Sequence, residues 1–221
     1  MNPWCDLGRT VFSPVSGKIL VSYQFSVGLR TGRRAYEQSD VLSSNERQVL
    51  LQLARRAIEA RLADCALELP PATGGLSRRT GAFVTLKRDE RLRGCIGSVE
   101  RDEPLTEVVA RCAGDAATRD PRFTPLTPAE LSEVVLEISV IGPFDPVTDP
   151  ARIVVGRHGL AVEQGRQHGL LLPQVATEHH WSSEAFLGQT CVKAGLPADA
   201  WRCGATVFSF EAVVFSESPI P

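Results

Sequence analysis

The spacing of apolar positions predicts three helices in the chain after residue 42. The first begins at Ser43, because Ser43 and Glu46 have the spacing of a capping box. Its apolar positions recur over about five turns, at Leu50, Leu53, Ala54, Ala57, Ile58 and Leu62. A second helix follows Pro104, and a third begins at residue 182 or 183 and ends at Gly195. All three patterns are typical of helices with one buried face.

Six further segments have the alternating or continuously apolar character of β-strands. Residues 81–87 and 92–99 form one predicted hairpin, and residues 158–163 and 168–172 form another. Residues 133–141 are predicted to be a half-buried strand, and residues 206–215 are apolar enough to be a central one. Because hairpins are mixed with helices, the predicted fold class is α+β, with a largely antiparallel sheet and flanking helices.

Residues 1–42 have no sustained period, and we expect them to form a separate N-terminal appendage. Three alternatives stay open for this segment: disorder, a short hairpin or added strand within residues 17–29, and a misassigned translation start. The ordered domain is expected at residues 43–216. Residues 217–221 are expected to be a C-terminal tail.

The composition is that of an ordinary soluble globular protein, with 43% hydrophobic and 23% charged residues. No apolar run approaches the roughly 18 to 20 residues that cross a bilayer, and the N-terminus lacks the order of a signal peptide. Six cysteines are scattered without a CxxC pair, which favours free thiols over a disulfide framework or a zinc site. We therefore expect a cytoplasmic protein that has no membrane partner.

The sequence LRGCIG at residues 92–97 is the strongest candidate for chemistry. Strict alternation along a strand places Arg93, Cys95 and Gly97 on one face and Gly94 on the other. A neighbouring cation favours the reactive thiolate, so Arg93 is predicted to tune Cys95, and Gly97 leaves room on the same face. Two glycines in four residues also suggest close approach of a ligand or another backbone, which makes both of them candidate ligand-binding positions. The alternative for Cys95 is a small buried hydrophobe.

Histidines offer a candidate base for this thiol but no metal site. His158 is the first choice for the base, and a surface histidine at a hairpin end is the alternative. In a hairpin register that pairs residue 164 with residue 167, His158 and His168 lie about 16 Å apart. His179 and His180 are adjacent and point apart. We therefore expect no metal ion, and nothing in the sequence predicts another cofactor.

Four residues next to chain breaks are candidate ligand contacts, namely Asp120, Arg122, Glu178 and Trp181. A structural salt bridge or a loop anchor explains them equally well. Residues 78–101 carry seven basic and three acidic groups, which favours an anionic ligand or a lowered thiol pKa, although a solvated hairpin tip explains most of the excess. No phosphate-binding glycine motif, catalytic serine motif or nucleic-acid module is present.

Several motifs together carry a likeness to a known family. They are LRGCIG at 92–97, DPRF with the following PL at 120–126, HGL at 158–160, LPQVA at 172–176, Glu178 with Trp181, and FL…C.KAGL at 186–196. In these motifs the chain resembles the AMMECR-type domain family, known in bacteria and archaea as AmmeMemoRadiSam system protein A. Residues 1–42 lie outside the family pattern.

The resemblance implies an α+β domain of two intimately packed subdomains, with LRGCIG at a cleft, in a cytoplasmic prokaryotic protein. Family members are often encoded beside, or fused to, a Memo-type protein and a radical S-adenosylmethionine enzyme. The resemblance therefore implies these two proteins as partners and one step of a modification or redox pathway as the context.

Two hypotheses about function stay open. In the first, the chain is an enzyme or enzyme component with a reactive Cys95 tuned by Arg93. In the second, it is a ligand-binding or protein-binding module with no chemistry of its own.

Overall fold

The computed structural model describes residues 42–218 and, before them, the two-residue strand β1 (Ser22–Tyr23). The backbone of β1 pairs in parallel with the strand that carries LRGCIG, so a part of the N-terminal segment lies against the sheet. The other expectations for residues 1–42, and those for residues 219–221, lie outside the described residues.

The helices of the described ranges confirm the three predicted from the apolar spacing. They are α1 (Ser44–Leu62), α2 (Leu105–Thr118), α3 (Pro128–Leu131), α4 (Pro173–Glu178) and α5 (Ser183–Lys193). Ser43 and Glu46 form the predicted capping box of α1, and the hydroxyl of Ser182 accepts a hydrogen bond from the first turn of α5. The short helices α3 and α4 were not predicted, because four to six residues show no helical period.

One sheet runs through the described part of the chain. Its further strands are β2 (Ala82–Arg88), β3 (Arg91–Ser98), β4 (Val135–Ile141), β5 (Asp145–Pro146), β6 (His158–Gln164), β7 (Gln167–Leu171) and β8 (Thr206–Ser216). The order is β1-β3-β2-β4-β8-β6-β7, with β5 also on β8, and every pairing except that of β1 is antiparallel. This confirms the predicted class, α+β with a largely antiparallel sheet. The position of β8 and the pairing of Gln164 with Gln167 also agree with prediction.

At β2, β3 and β4 the sheet separates two apolar cores, because successive residues of these strands point to opposite faces. Phe83 belongs to the core beneath α5, which also contains Phe144, Phe186 and Phe210. The next residue, Val84, belongs to the core beneath α1 and α2. We call these the α5 core and the α1–α2 core, and they correspond to the two packed subdomains that the resemblance implies.

None of the helices described here combines the length and the apolar character needed to cross a membrane.

Candidate functional site

Cys95 lies in the middle of β3 with its side chain fully buried in the α5 core. Its backbone N–H donates to Oδ2 of Asp120 at 2.8 Å, and its carbonyl accepts from Nη2 of Arg122 at 3.2 Å. Because β2 pairs along one edge of β3, the loop after α2 supplies these two groups to the other edge. Asp120 and Arg122 thus form hydrogen bonds with the backbone N–H and carbonyl of Cys95, as a neighbouring strand would.

The two side chains of this loop form a buried ion pair. Nε of Arg122 lies 2.8 Å from Oδ1 of Asp120 and Nη2 lies 2.6 Å from Oδ2, while the Asp120 side chain is only 1% exposed. Oδ1 also accepts the backbone N–H of Arg122 at 3.1 Å, which fixes the turn. Burial by itself raises the pKa of Asp120, but the hydrogen bonds from Arg122 and from the Cys95 amide outweigh it and hold that pKa below its usual value.

The Cys95 thiol is protonated at neutral pH. Burial raises its pKa to about 11, although a hydrogen-bond contact of 3.1 Å with the Thr85 hydroxyl and the charge of Arg122 act in the opposite direction. The charges of Asp120 and Glu137 add to the rise. The pKa shift is therefore opposite to the lowering that the sequence led us to expect.

Arg93 does not lie beside the Cys95 thiol, and this prediction was wrong because β3 contains a β-bulge. The β2–β3 register pairs Leu86 with Gly94 and then Lys87 with Leu92, so Arg93 is the inserted residue. The bulge reverses the alternation, and Leu92 instead of Arg93 packs against the core that holds Cys95.

The guanidinium of Arg93 is engaged elsewhere. It donates to Glu130 at 3.2 Å and to the carbonyl of Thr124 at 3.0 Å, and it lies over the ring of Phe123. Arg93 is not among the groups whose charges act on the Cys95 thiol. Arg93 is thus held in its own ion pair, outside the surroundings of the thiol.

The two glycines of LRGCIG are required by close packing of the protein against itself. A Cβ on Gly94 would overlap the carbonyl oxygen of Ala116 in α2, and a Cβ on Gly97 would overlap the ring of Phe83. Something does approach the strand closely, as predicted, but it is a helix backbone on one face and an aromatic ring on the other. The space expected beside the thiol at Gly97 is filled by Phe83, so neither glycine leaves an opening for a ligand.

His158 is not placed to act as a base for Cys95. It lies on β6, and three strands separate β6 from β3 in the sheet. Its Nδ1 accepts the backbone N–H of Val154 at 3.1 Å, and burial, with help from Arg157, lowers its pKa. The imidazole lines a separate cavity of about 650 Å³ together with Asp149 and Arg152.

Glu178 and Trp181 also lie apart from Cys95. Glu178 ends α4 and is exposed. The Trp181 ring stacks on His179 with centroids 4.5 Å apart and packs against the α5 core, beside Phe186. Within the ranges that the structure describes, neither residue forms a hydrogen bond with Cys95, Asp120 or Arg122. Trp181 therefore packs as a structural residue against the α5 core.

Lys193, the last residue of α5, is partly buried and near enough to Asp120 and Arg122 for their charges to act on its amine, and the sequence patterns did not single it out. Burial lowers its pKa to about 8, and the charge of Arg122 contributes, while Cys95 and Asp120 act in the opposite direction. The amine has no hydrogen bond or ion pair among the described residues. A lysine at the end of a helix is ordinarily interpreted as a surface residue. The one sequence feature that could have marked Lys193 is its position in the motif FL…C.KAGL.

We call Cys95, Asp120, Arg122 and Lys193 the Cys95 cluster. Its one carboxylate is fully used by hydrogen bonds, whereas Nη1 of Arg122 is buried without a partner in the described part of the chain. No three His, Cys, Asp or Glu side chains in the described ranges are grouped so that they could hold a metal ion. What the cluster offers is free N–H donors and positive charge.

Comparison with known proteins covers most of the chain. Residues 51–215 match the sequence model of the AMMECR1 family. A protein of Thermofilum pendens is 43% identical over 196 residues, which cover 80% of this chain and 92% of that protein. A protein of Methanothermobacter thermautotrophicus is 45% identical over 185 residues, which cover 80% and 96%. A solved structure, that of the uncharacterized protein PH0010 from Pyrococcus horikoshii, has a TM-score of 0.73 at 42% identity and covers 77% of this chain and 90% of that one.

Proposed function

Because this chain belongs to the AMMECR1 family, we propose that it is a ligand-binding component of the AmmeMemoRadiSam system and that the Cys95 cluster is its binding site. In this proposal the chain works in the cytoplasm beside a Memo-type protein and a radical S-adenosylmethionine enzyme. The motif resemblance supports the pathway. The free thiols of all five described cysteines support a reducing compartment.

The observation that carries the binding role is the state of Cys95. A thiol that is fully buried, with a pKa raised to about 11, is not a nucleophile at neutral pH. Among the described residues, Nη1 of Arg122 is buried without a hydrogen-bond partner, and such a group can recognise an acceptor. The geometry thus favours recognition by the cluster over covalent chemistry at the thiol.

A reactive Cys95 is the second candidate, and two contacts favour it. The Thr85 hydroxyl at 3.1 Å from Sγ and the charge of Arg122 both stabilise a thiolate. In this second proposal, a partner or substrate opens the α5 core and exposes the thiol. Arg122, and not Arg93, is then the cation that tunes it.

Alkylation of the isolated chain, mapped by mass spectrometry across a pH series, separates the two candidates. The binding role predicts that Cys95 stays unmodified at pH 7–9, while the exposed Cys65 and Cys203 react as internal references. Modification of Cys95 below the ordinary thiol pKa of about 8.5 would contradict the binding role and establish the reactive thiol. Arg93→Ala should leave the pattern unchanged, because Arg93 is paired with Glu130.

Co-purification tests the pathway itself. A tagged chain is captured from cells that also produce a Memo-type protein and a radical S-adenosylmethionine enzyme of the same organism. We expect at least one of the two to be retained, and retained equally by Cys95→Ser, since binding does not need the thiol. Loss of both partners from the wild-type chain would contradict the pathway, and loss from Cys95→Ser alone would favour the reactive thiol.

A further inference from the structure

A cavity of about 650 Å³ lies among β5, β6 and β8, and three strands separate β6 from the strand of Cys95. Cavities of this size hold small molecules in many proteins. Phe144 and Ile153 form part of its wall and belong to the buried α5 core. Because the Phe144 ring packs edge-on against Phe208 and Phe210, the core holds the apolar part of the wall in place. The polar residues of the lining include Asp145, Asp149, Arg152, His158 and Ser209.

The imidazole in this lining is oriented by the protein backbone. Nδ1 of His158 accepts the N–H of Val154 at 3.1 Å, so the proton of the neutral ring is on Nε2. Burial, followed by the charge of Arg157, lowers the pKa of His158, so the ring is neutral at pH 7. Nε2 forms no hydrogen bond with any described residue. We call this space the His158 cavity, and its histidine offers one N–H donor.

The His158 cavity also contains charges of both signs that are not paired with each other. Among the described residues, neither Arg152 nor Asp145 forms a hydrogen bond or an ion pair, although both line the cavity. Asp149 accepts a backbone N–H through Oδ1 at 2.9 Å, and its Oδ2 accepts none in the same ranges. Close by, Arg157 is paired with Glu211 at 2.7 Å. The cavity thus keeps a guanidinium and two carboxylates that are open to a ligand.

This lining does not suit a ligand of a single charge sign. A simple anion meets the two carboxylates, and a simple amine leaves the Arg152 guanidinium and the His158 N–H without an acceptor. We propose that the His158 cavity binds a free α-amino acid that has an apolar side chain. Its carboxylate accepts hydrogen bonds from Arg152 and His158, its ammonium group donates to the two carboxylates, and its side chain packs against the apolar wall. This site goes beyond the proposed function, since none of its residues belongs to the Cys95 cluster.

Isothermal titration calorimetry of the isolated chain at pH 7 tests the proposal, with L-leucine and L-phenylalanine as separate probes. Each amino acid has two matched analogues. The first lacks the ammonium group, and these are 4-methylpentanoate and 3-phenylpropionate. The second lacks the carboxylate, and these are 3-methylbutylamine and 2-phenylethylamine. The ligand class is therefore tested independently of any variant.

Arg152→Met is the decisive variant, because Arg152 is exposed and its removal leaves no described group without a partner. Arg166→Met removes an exposed positive charge from the β6–β7 turn, at the other end of β6 from His158, and serves as the matched control. His158→Asn keeps an acceptor near the position of Nδ1 and removes the Nε2 donor. If circular dichroism shows that His158→Asn is unfolded, Arg152→Met decides alone.

We expect the wild-type chain to bind at least one of the two amino acids about tenfold more tightly than Arg152→Met does. His158→Asn should also bind it more weakly, and Arg166→Met should bind it as the wild type does. Both analogues of that amino acid should bind the wild type at least about tenfold more weakly, because each lacks one of the two charges.

Binding of neither amino acid, or equal binding by wild type and Arg152→Met, would overturn the proposal. An analogue that binds as tightly as its amino acid would overturn the assignment of a zwitterion. Weakening by Arg166→Met as large as that by Arg152→Met would show a general effect of charge and overturn the assigned contact.

Discussion

At the scale of single residues, Asp120 has the most specific structural role in the site, because its carboxylate accepts hydrogen bonds from both Arg122 and the Cys95 backbone amide. Asp120→Asn leaves the charge of Arg122 buried without its partner. We expect a loss of about 3–5 kcal/mol in the free energy of unfolding at pH 7, measured by urea denaturation. Glu184→Gln, in the exposed pair with Arg202, is the control and should change stability by less than about 1 kcal/mol.

The effect of Asp120→Asn should depend on pH in a defined direction. The pKa of Asp120 is lowered in the folded protein, so the unfolded chain binds a proton first as the pH falls. The stabilisation is complete above the ordinary pKa of about 3.9 and is lost as the pH falls through the lower folded pKa. The difference between wild type and variant should therefore shrink below about pH 4. A difference that is the same at pH 7 and at pH 3 would contradict this role.

The sequence identified three of the four residues of the Cys95 cluster, and the reasons differ. Cys95 was marked by its flanking glycines, and Asp120 and Arg122 by their place at a chain break. Lys193 was missed because its significance comes from burial and from Arg122, which is distant in sequence. Arg93 was assigned wrongly because a one-residue bulge has no local signature in LRGCIG.

At the scale of elements, the two glycines of β3 determine how closely α2 and Phe83 pack against the strand. Gly94→Ala and Gly97→Ala should each destabilise the protein by about 1–3 kcal/mol or more, because the added methyl overlaps neighbouring atoms. Thermal denaturation or urea denaturation measures the change.

The matched control is Gly188→Ala in α5. A Cβ at Gly188 meets the carbonyl oxygen of Ala198 at 3.4 Å, an ordinary contact, and alanine favours a helix by up to about 1 kcal/mol over glycine. Stability should therefore rise slightly. If Gly97→Ala were as stable as Gly188→Ala, the space beside Cys95 would be open, as the sequence first indicated, and the packing described for Phe83 would be wrong.

Element types and pairings were the best-predicted level of the structure. The capping box, the apolar faces and the β6–β7 register are local patterns, and each was found where the sequence placed it. The strand β5 and the short helices α3 and α4 carry too few residues to show a period. Local sequence patterns do not show that the loop after α2 reaches the edge of β3 opposite to β2.

At the scale of the whole molecule, two cores share a single sheet, since β2 and β4 contribute residues to both. The cores should therefore unfold in one cooperative transition. Trp181 and Trp201 both pack against the α5 core, so tryptophan fluorescence reports on that core in a Trp4→Phe background. Leu53→Ala, in the α1–α2 core, should lower the free energy of unfolding seen by fluorescence by about 2–5 kcal/mol.

Circular dichroism provides the comparison for the same variant, because it follows both halves. Coincident fluorescence and dichroism transitions, shifted equally by Leu53→Ala, are the expected result. A fluorescence transition that does not move in Leu53→Ala would show that the two cores unfold independently.

The protonation of Lys193 in the protein without ligand tests the Cys95 cluster most directly. The chain has only three lysines, Lys18, Lys87 and Lys193, so ¹³C-lysine labelling gives few Cε resonances, and Lys193→Met identifies the one of interest. We expect this resonance to titrate at a pKa of about 8, and Arg122→Gln to move that pKa upward. Titration of the Lys193 resonance near the ordinary lysine value of about 10.4 would contradict a partly buried amine on which the charge of Arg122 acts, and with it the Cys95 cluster as the binding site.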